Sequence, residues 1–386
     1  MSFIPYGRQN ISQEDINAVV DVLKSDFLTQ GPVVELFECA LANYSGASYV
    51  AAVNSATSAL HIACLALGVG AQDIVWTSPI TFVASANSAL YCGATIDFVD
   101  IDFETNNMSV HALELKLESA RKLGTLPTVV IPVHMGGMSC DMEAISRLSL
   151  EYGFKVIEDA SHAIGGRYAG NLVGCCEFSD ITVFSFHPVK IITTGEGGAA
   201  LTNDKSIFER LVQLRSHGVT RDVEHMTNGS EGGWYYQQIA LGFNYRMTDI
   251  QAALGLSQMS RVDLFVTKRN ELAQRYKTRL NNLPLELPSQ SKDANSAFHL
   301  YIVKLTDQSA VSRKELFDGL QNSNIGVNVH YIPVHLHPYY KKIGFSAGDF
   351  PEAERYYSRA ISLPLHPKLT FDEQDYIIRR LSELLI

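Results

Sequence analysis

Several signatures of common protein classes are missing from this sequence of 386 residues. It has no apolar run long enough to span a bilayer, and its first residues lack the basic and apolar pattern of a secretory signal. The six cysteines include no Cys-x-x-Cys spacing, so we expect buried thiols in a reducing compartment, not a disulfide framework. The sequence therefore predicts a soluble, cytoplasmic protein.

Two motifs of nucleotide-binding proteins are missing as well. Neither Gly-x-x-x-x-Gly-Lys-Ser/Thr nor Gly-x-Gly-x-x-Gly occurs, which argues against P-loop and dinucleotide-binding proteins. The net charge is −10, from 31 basic and 41 acidic residues, and no basic block is present. We therefore expect neither nucleic acid nor an anionic membrane surface as a partner.

What the sequence does contain is the composition and rhythm of a large α/β protein. Hydrophobic residues make up 46% and charged residues 19% of the chain. Strand-like apolar runs alternate with helical segments from Ser48 to Thr202, which predicts a mainly parallel sheet between layers of helices. A helix at 263–283 and a Pro- and Ser-rich linker at 284–294 predict two domains, residues 1–260 and 261–386.

The C-terminal part predicts a smaller α/β domain. Strands are expected at 298–305 and 325–329, with a helix at 313–320 and a closing helix from Phe371. Upstream, the polar stretch 219–234 is predicted to be a mobile loop. His335 and His337 could bind a metal, but no third ligand is placed and neighbouring prolines favour a loop, so we predict no metal site.

Chemically distinctive residues follow two strands that are predicted to be neighbours. Asp159 closes the apolar run that begins at Phe154, and Lys190 comes five positions after Ser185, which ends the next run. The carboxyl ends of parallel strands meet in one crevice. A lysine there can form a Schiff base with an aldehyde cofactor, and a carboxylate can hold a pyridinium nitrogen. Taken alone, such a lysine is usually solvated and such an aspartate usually caps a turn.

An anion-binding element upstream makes the combination more specific. A strand at 48–53 leads into a helix whose start carries Ala56, Thr57 and Ser58, and backbone N–H groups at such a start can bind phosphate. Ordinary Ser/Thr capping is the commoner explanation for this segment by itself. Phe82 could stack on a planar ring, although an aromatic residue at a helix start is usually part of the core. Together these parts favour a pyridoxal-phosphate site.

The motifs of the chain resemble those of the DegT/DnrJ/StrS sugar-nucleotide aminotransferases. They lie at 55–60, 78–84, 93–102, 158–162, 184–190, 195–198, 242–246 and 330–331, and so cover nearly the whole sequence. The resemblance implies pyridoxal 5′-phosphate as cofactor. It also implies the aspartate-aminotransferase fold (fold type I), with a large domain around a mainly parallel, seven-stranded type of sheet and a smaller C-terminal α/β domain.

The resemblance further implies roles for individual residues. Lys190 matches the Schiff-base lysine, and Asp159 matches the acid that faces the pyridine nitrogen. The other implied cofactor contacts are Ala56, Thr57, Ser58, Phe82, His162, Ser185 and Asn244. The implied substrate contacts are Tyr6, Asp26, Phe27, Leu28, Thr29, His187, Val329, His330 and Tyr331. Asn244, a turn residue when taken alone, would come from a partner subunit, which implies a homodimer with shared active sites.

Within the family, several stretches are most similar to the pseudaminic-acid branch. They lie at 28–31, 54–60, 215–218, 253–258, 329–331 and 361–364. The branch implies transfer of an amino group from L-glutamate to C4 of UDP-2-acetamido-2,6-dideoxy-β-L-arabino-hexos-4-ulose. Alternatives are another UDP- or dTDP-keto sugar, a dehydratase of the same fold, and a non-catalytic cofactor-binding regulatory protein. Because such dehydratases carry histidine in place of the lysine, the presence of Lys190 argues against a dehydratase.

Overall fold

The computed structural model describes residues 2–290 and 293–386. Its helices are α1 (Gln13–Leu23), α2 (Pro32–Ser45), α3 (Ala56–Ala66), α4 (Val83–Tyr91), α5 (Val110–Leu123), α6 (Met142–Tyr152), α7 (Lys205–Arg215), α8 (Asp249–Met259), α9 (Val262–Leu280), α10 (Arg313–Asn322), α11 (Pro338–Lys342), α12 (Pro351–Arg359) and α13 (Phe371–Leu385). Its strands are β1 (Tyr49–Val53), β2 (Ile74–Thr77), β3 (Thr95–Phe98), β4 (Val129–Ile131), β5 (Lys155–Asp159), β6 (Arg167–Tyr168), β7 (Asn171–Leu172), β8 (Ile181–Ser185), β9 (Gly198–Thr202), β10 (Val219–Thr220), β11 (Gln237–Gln238), β12 (Leu285–Glu286), β13 (Ala294–Asn295), β14 (Tyr301–Leu305) and β15 (Ala360–Leu363).

A seven-stranded sheet organises the larger part of the chain, in the order β1-β9-β8-β5-β4-β2-β3. The strands from β8 to β3 pair in parallel, whereas β9 runs antiparallel to both β1 and β8. Alternate residues enter different apolar clusters: Ala51 and Val53 of β1 face one, and Val50 and Ala52 face another. A sheet covered on both faces needs such apolar strands, and the predicted mainly parallel sheet is confirmed.

Local sequence explains where many helices begin and end. Ser12 and Asp15 form a reciprocal capping box at the start of α1, and Pro32 occupies the first turn of α2. Helix α5 ends at Gly124, whose φ of 70° is a left-handed conformation that glycine adopts without strain. None of the helices in the described ranges combines the length and apolarity needed to cross a bilayer.

A second apolar core lies in the C-terminal part, among α9, α10, α13, β12, β14 and β15. The strand predicted at 325–329 is wrong. Ile325 makes an isolated bridge with Ile4 and Asn328 makes one with Ser362, while β15 takes the place beside β14. The pairing of this segment depends on the N-terminal arm, which a local apolar pattern does not report.

The predicted linker and loop are partly structured. The linker at 284–294 begins with β12, and its residues 291–292 lie outside the described residues. The stretch at 219–234 begins with β10, which pairs with β11. Helix α9 contributes Phe265 to a core beneath the large sheet and Tyr276 to the second core, so the division at 260/261 stays a prediction.

Candidate active site

A cavity of about 490 Å³ opens where β5 and β8 end. It is lined by twelve of the residues predicted from the sequence: Tyr6, Ala56, Thr57, Phe82, Asp159, His162, Ser185, His187, Lys190, Val329, His330 and Tyr331. These residues come from the N-terminal arm, the large sheet and the C-terminal part. The fold therefore brings the predicted lysine, carboxylate and anion-binding helix start into one space.

Ser58, predicted as a phosphate ligand, does not line this cavity. Its hydroxyl donates to Asn54 Oδ1 at 2.7 Å, and its backbone N–H donates to the Ser55 side chain at 3.1 Å. These contacts are used inside the first turn of α3, which fixes the helix start. The structure thus leaves Ala56 and Thr57 as the residues of this turn that face the cavity, beside Ser55.

Five further predicted residues also lie away from the cavity of their own chain. Asp26, Phe27, Leu28 and Thr29 are exposed, and so is Asn244. The backbone of Thr29 pairs with Thr248, and the Leu28 carbonyl accepts a hydrogen bond from Asp249. The predicted 26–29 segment and the segment that follows Asn244 therefore share one surface of the molecule.

Asp159 is the last residue of β5, and the residue is 5% exposed. Ser85 Oγ lies 2.6 Å from Asp159 Oδ2, and the Ser161 N–H donates to Asp159 Oδ1 at 3.1 Å. Each carboxylate oxygen therefore has one donor from this chain and can accept a further hydrogen bond from a ligand.

Glu158, next to it in sequence, points to the other face of the sheet. Its Oε2 lies 2.7 Å from His134 Nε2 in a fully buried pair. Burial acts to raise the pKa of Glu158, but hydrogen bonds from His134, Ser179 and Thr182 lower it overall. The alternation of side chains along β5 therefore separates a structural acid from the acid that faces the cavity.

Lys190 follows β8 in a turn closed by a hydrogen bond from its own N–H to the His187 carbonyl, at 2.9 Å. Burial lowers the pKa of the Lys190 amine to about 8, and the nearby Asp159 carboxylate opposes that shift. Burial disfavours the charged ammonium, so the free amine is abundant at a pH where an ordinary lysine is protonated. Such an amine can act as a nucleophile and as a proton carrier.

This lowered pKa predicts how the cofactor-free protein reacts with an aldehyde. Only the unprotonated amine attacks, so the rate should rise with pH and level off with a midpoint near 8. Asp159→Asn removes the charge that raises the pKa of Lys190, so its midpoint should lie lower. Stopped-flow absorbance with pyridoxal phosphate, from about pH 6 to about pH 10, measures both midpoints. A midpoint near 10 in the unmodified protein would contradict the assignment.

Three buried histidines form a neutral wall of the cavity. The pKa of His162 is lowered by burial and then by the charge of Lys190, and the same two causes lower that of His330 to about 3. His162 Nδ1 accepts from the Gly136 N–H at 3.3 Å, so its Nε2 carries the proton that faces the Tyr331 hydroxyl at 3.1 Å. The His299 ring lies 4.5 Å from that of His162.

A glycine on β9 lets the start of α3, the predicted anion-binding element, reach the cavity. A Cβ atom at Gly198 would lie 2.5 Å from the Ala56 backbone nitrogen, which is too close for any other residue. With glycine there, α3 sits against the sheet end, beside Ser185. The helix start offers backbone donors and a positive dipole end for a phosphate.

These parts fit pyridoxal phosphate. Lys190 offers an amine for the aldehyde, Asp159 offers a carboxylate for the ring nitrogen, and the start of α3 offers donors for the phosphate. Phe82, at the start of α4, leaves 59% of its surface exposed, with its ring centre 6.3 Å from that of Tyr331. An exposed aromatic face in the wall can stack on a planar ring.

The sequence matches the model of the DegT/DnrJ/EryC1/StrS aminotransferase family over residues 9–382. The chain belongs to this family. It is a sugar aminotransferase that depends on pyridoxal phosphate, as the resemblance of its motifs predicted.

Two relatives of this family member cover almost its whole length. It is 40% identical to the spore coat polysaccharide biosynthesis protein SpsC of Bacillus subtilis, over 99% of this chain and 97% of that protein. It is 37% identical to the UDP-4-amino-4,6-dideoxy-N-acetyl-β-L-altrosamine transaminase of Campylobacter jejuni, over 99% of this chain and 97% of that protein.

Two solved structures share its fold. PseC of Helicobacter pylori, an aminotransferase involved in the biosynthesis of pseudoaminic acid, superposes with a TM-score of 0.91 at 30% identity, over 100% of this chain and 99% of that one. The PLP form of Spr1654 from Streptococcus pneumoniae superposes with a TM-score of 0.88 at 29% identity, over the full length of both chains. The predicted fold class is therefore confirmed.

Other residues of the aminotransferase cavity were not predicted from its sequence. They include Ser55, Thr81, Ser85, Val133, Ser161, Val189, Glu196, His299 and Asn328. Several are small hydroxyl residues on helices or turns, where they resemble ordinary caps. His335, which was considered as a metal ligand and not predicted to be one, places its Nε2 3.0 Å from Glu354 Oε1. Within the described ranges, no group of three or more His, Cys, Asp or Glu residues could hold a metal ion.

Proposed function

We propose that the protein transfers an amino group from L-glutamate to C4 of UDP-2-acetamido-2,6-dideoxy-β-L-arabino-hexos-4-ulose, in pseudaminic acid biosynthesis. The observation that carries the proposal is the presence of Lys190, Asp159 and the sugar-side residues His330 and Tyr331 in one cavity. The full-length similarity to PseC and to the altrosamine transaminase supports the choice of substrate.

In this proposal Lys190 performs two tasks at its Nζ atom. It would hold the cofactor covalently, and its free amine would accept and return a proton beside the reacting carbon. A pKa of about 8 suits both directions of proton transfer at neutral pH. Bound pyridoxal phosphate supplies an electron sink for the negative charge that develops at the amino-bearing carbon.

The remaining cofactor contacts are assigned by their position in the wall. Asp159 holds the ring nitrogen, and Ala56, Thr57 and Ser185 bind the phosphate. Phe82 would stack on the ring, and the neutral His162 would contact its oxygen side. We leave Ser58 out of the phosphate site, because its hydroxyl is held by Asn54.

Tyr6, His187, Val329, His330 and Tyr331 are assigned to the sugar nucleotide. They line the same cavity as Lys190, and they come from the N-terminal arm, the turn after β8 and the segment before the 3-10 helix Val334–Leu336. Burial and the nearby Asp159 raise the pKa of Tyr331, so its hydroxyl stays protonated and can donate to a sugar oxygen.

We further propose a homodimer in which each cavity is completed by the other subunit. Asn244 and the 26–29 segment share one exposed surface, and Phe27 and Leu28 remain 53% and 47% exposed there. Exposed aromatic and aliphatic side chains beside polar ligand candidates favour a contact between subunits. On this assignment Asp26, Phe27, Leu28, Thr29 and Asn244 serve the partner's cavity.

A second candidate function is amination of a different UDP- or dTDP-keto sugar. The observation that favours it is the similarity to SpsC, which at 40% identity slightly exceeds that to the altrosamine transaminase. The non-catalytic regulator considered from the sequence is no longer a candidate, because the chain belongs to an aminotransferase family and retains both Lys190 and Asp159.

The deciding experiment incubates the purified protein and L-glutamate with the UDP-4-keto sugar and, in parallel, with a dTDP-keto sugar. We expect a C4-aminated nucleotide sugar and 2-oxoglutarate, identified by mass spectrometry and NMR, and a dimeric mass by light scattering. Product only from a dTDP-keto sugar, or amination at C3, would move the protein to the second candidate. If glutamate does not convert the bound cofactor but another amino acid does, the proposed amino donor is wrong.

A further inference from the structure

Two buried hydroxyl groups of the cavity wall lie in a row beside the carboxylate of Asp159. Ser85 Oγ is 2.6 Å from Asp159 Oδ2 and 2.7 Å from Thr81 Oγ1. Thr81 is 3% exposed and Ser85 is fully buried. Both residues come from the start of α4, 74 or more residues away from Asp159 in sequence.

The chemistry of the three groups fixes the direction of these hydrogen bonds. An ionised carboxylate only accepts, so the single proton of the Ser85 hydroxyl must point to Asp159. Ser85 then has only lone pairs left for Thr81, and the Thr81 hydroxyl donates to Ser85. A hydrogen bond from a buried hydroxyl fixes the orientation of the carboxylate oxygen that accepts it.

The same helix start also carries Phe82 into the cavity wall. Phe82 and Ser85 are three residues apart and therefore lie on one side of the first turn. The Ser85 N–H donates to the Phe82 carbonyl at 3.3 Å. One rigid turn thus presents an aromatic face to the cavity and a donor to its carboxylate.

We propose that Thr81 and Ser85 form a chain of hydroxyl donors that orients the Asp159 carboxylate towards the ring nitrogen of pyridoxal phosphate. Ser85 is then a positioning residue, which acts on the cofactor through Asp159. The inference rests on the proposed role of Asp159 and adds the groups that make that role possible in a buried site.

The test compares Ser85→Ala with two matched variants. Ser85→Thr keeps the hydroxyl, and Ser88→Ala makes the same change one turn along α4, where the Ser88 hydroxyl donates to the Ser85 carbonyl at 2.8 Å. Cofactor-free protein is titrated with pyridoxal phosphate and with its deaza analogue, in which CH replaces the ring nitrogen. The measured quantity is the ratio of the two dissociation constants.

We expect Ser85→Ala to weaken binding of pyridoxal phosphate by about tenfold or more, the effect of losing one hydrogen bond to a charged group. The deaza analogue has no ring N–H for Asp159, so its binding should be unchanged. Ser85→Thr should restore the preference for pyridoxal phosphate over the deaza analogue, and Ser88→Ala should keep that preference. If Ser85→Ala weakens both cofactor forms equally, the hydroxyl is only structural and the inference is wrong.

Two further variants keep the result decisive. Thr81→Val removes the outer donor at nearly constant size and replaces Ser85→Ala in the test if that variant does not fold. It should also reduce the preference for pyridoxal phosphate over the deaza analogue. Asp159→Asn separates the two hypotheses. If it retains the preference for the ring nitrogen, the role proposed for Asp159 fails. If it loses the preference while folded Ser85→Ala and Thr81→Val retain it, only the proposed chain of hydroxyl donors is wrong.

Discussion

Lys190→Ala should abolish turnover, with a loss of about five orders of magnitude or more, as expected when a covalent catalytic group is removed. The variant has no amine that can hold the cofactor and no group at that position to carry the proton. Steady-state rates with glutamate and the keto sugar measure the loss. Borohydride reduction and peptide mapping of the unmodified protein should place the cofactor on Lys190.

The control for this result is Lys155→Ala. Lys155 is the first residue of β5, at the opposite end of that strand from Asp159, and it makes a surface ion pair with Asp180 at 2.9 Å. Exposed pairs of this kind contribute about 0–1 kcal/mol, so this variant should keep its rate and its cofactor. A cofactor label on any lysine other than Lys190, or Lys190→Ala activity within about tenfold of the unmodified protein, would refute the assignment.

The sheet could be predicted because its signal is local. Strand β8 consists of five consecutive buried residues, and helices such as α5 and α6 have clear caps at both ends. The segment at 325–329 carries a similar apolar pattern but pairs with Ile4, more than 300 residues away in sequence. A long-range tertiary contact determines the conformation of this segment, and local β-propensity carries no information about that contact.

The same difference between local and long-range signals applies to the residues of the cavity. Asp159 and Ser185 end strands of a parallel sheet, so topology alone predicts that they meet. Ser85 reaches Asp159 from a neighbouring helix, and His299 reaches His162 from the C-terminal part. Neither residue carries a local pattern that separates it from a capping serine or a core histidine. In the proposed homodimer the 26–29 segment would serve the partner's cavity, and a sequence pattern does not report which subunit a loop serves.

Asp159→Asn should leave a protein that still binds pyridoxal phosphate but turns over far more slowly. The proposed phosphate donors at α3 and the amine of Lys190 are unchanged, so binding should persist. A neutral carboxamide cannot stabilise a positive charge on the ring nitrogen, and that charge is what draws electrons from the reacting carbon. Losing one partner of a buried ion pair costs about 3–5 kcal/mol. The rate should therefore fall by about a hundredfold to a few thousandfold.

The matched control for Asp159→Asn is Glu158→Gln, the same chemical change one residue earlier. Because Glu158 faces His134 on the other side of the sheet, this variant should lose stability, with a lower Tm, and keep most of its rate. Asp159→Asn should show the reverse, a slow reaction with little change in Tm. Both measurements are needed, since a general disturbance of β5 would lower the rate and the Tm of both variants together. Near-normal turnover in Asp159→Asn would remove the electronic role of this carboxylate, because the chemistry would then proceed without a charge at that end of the cavity.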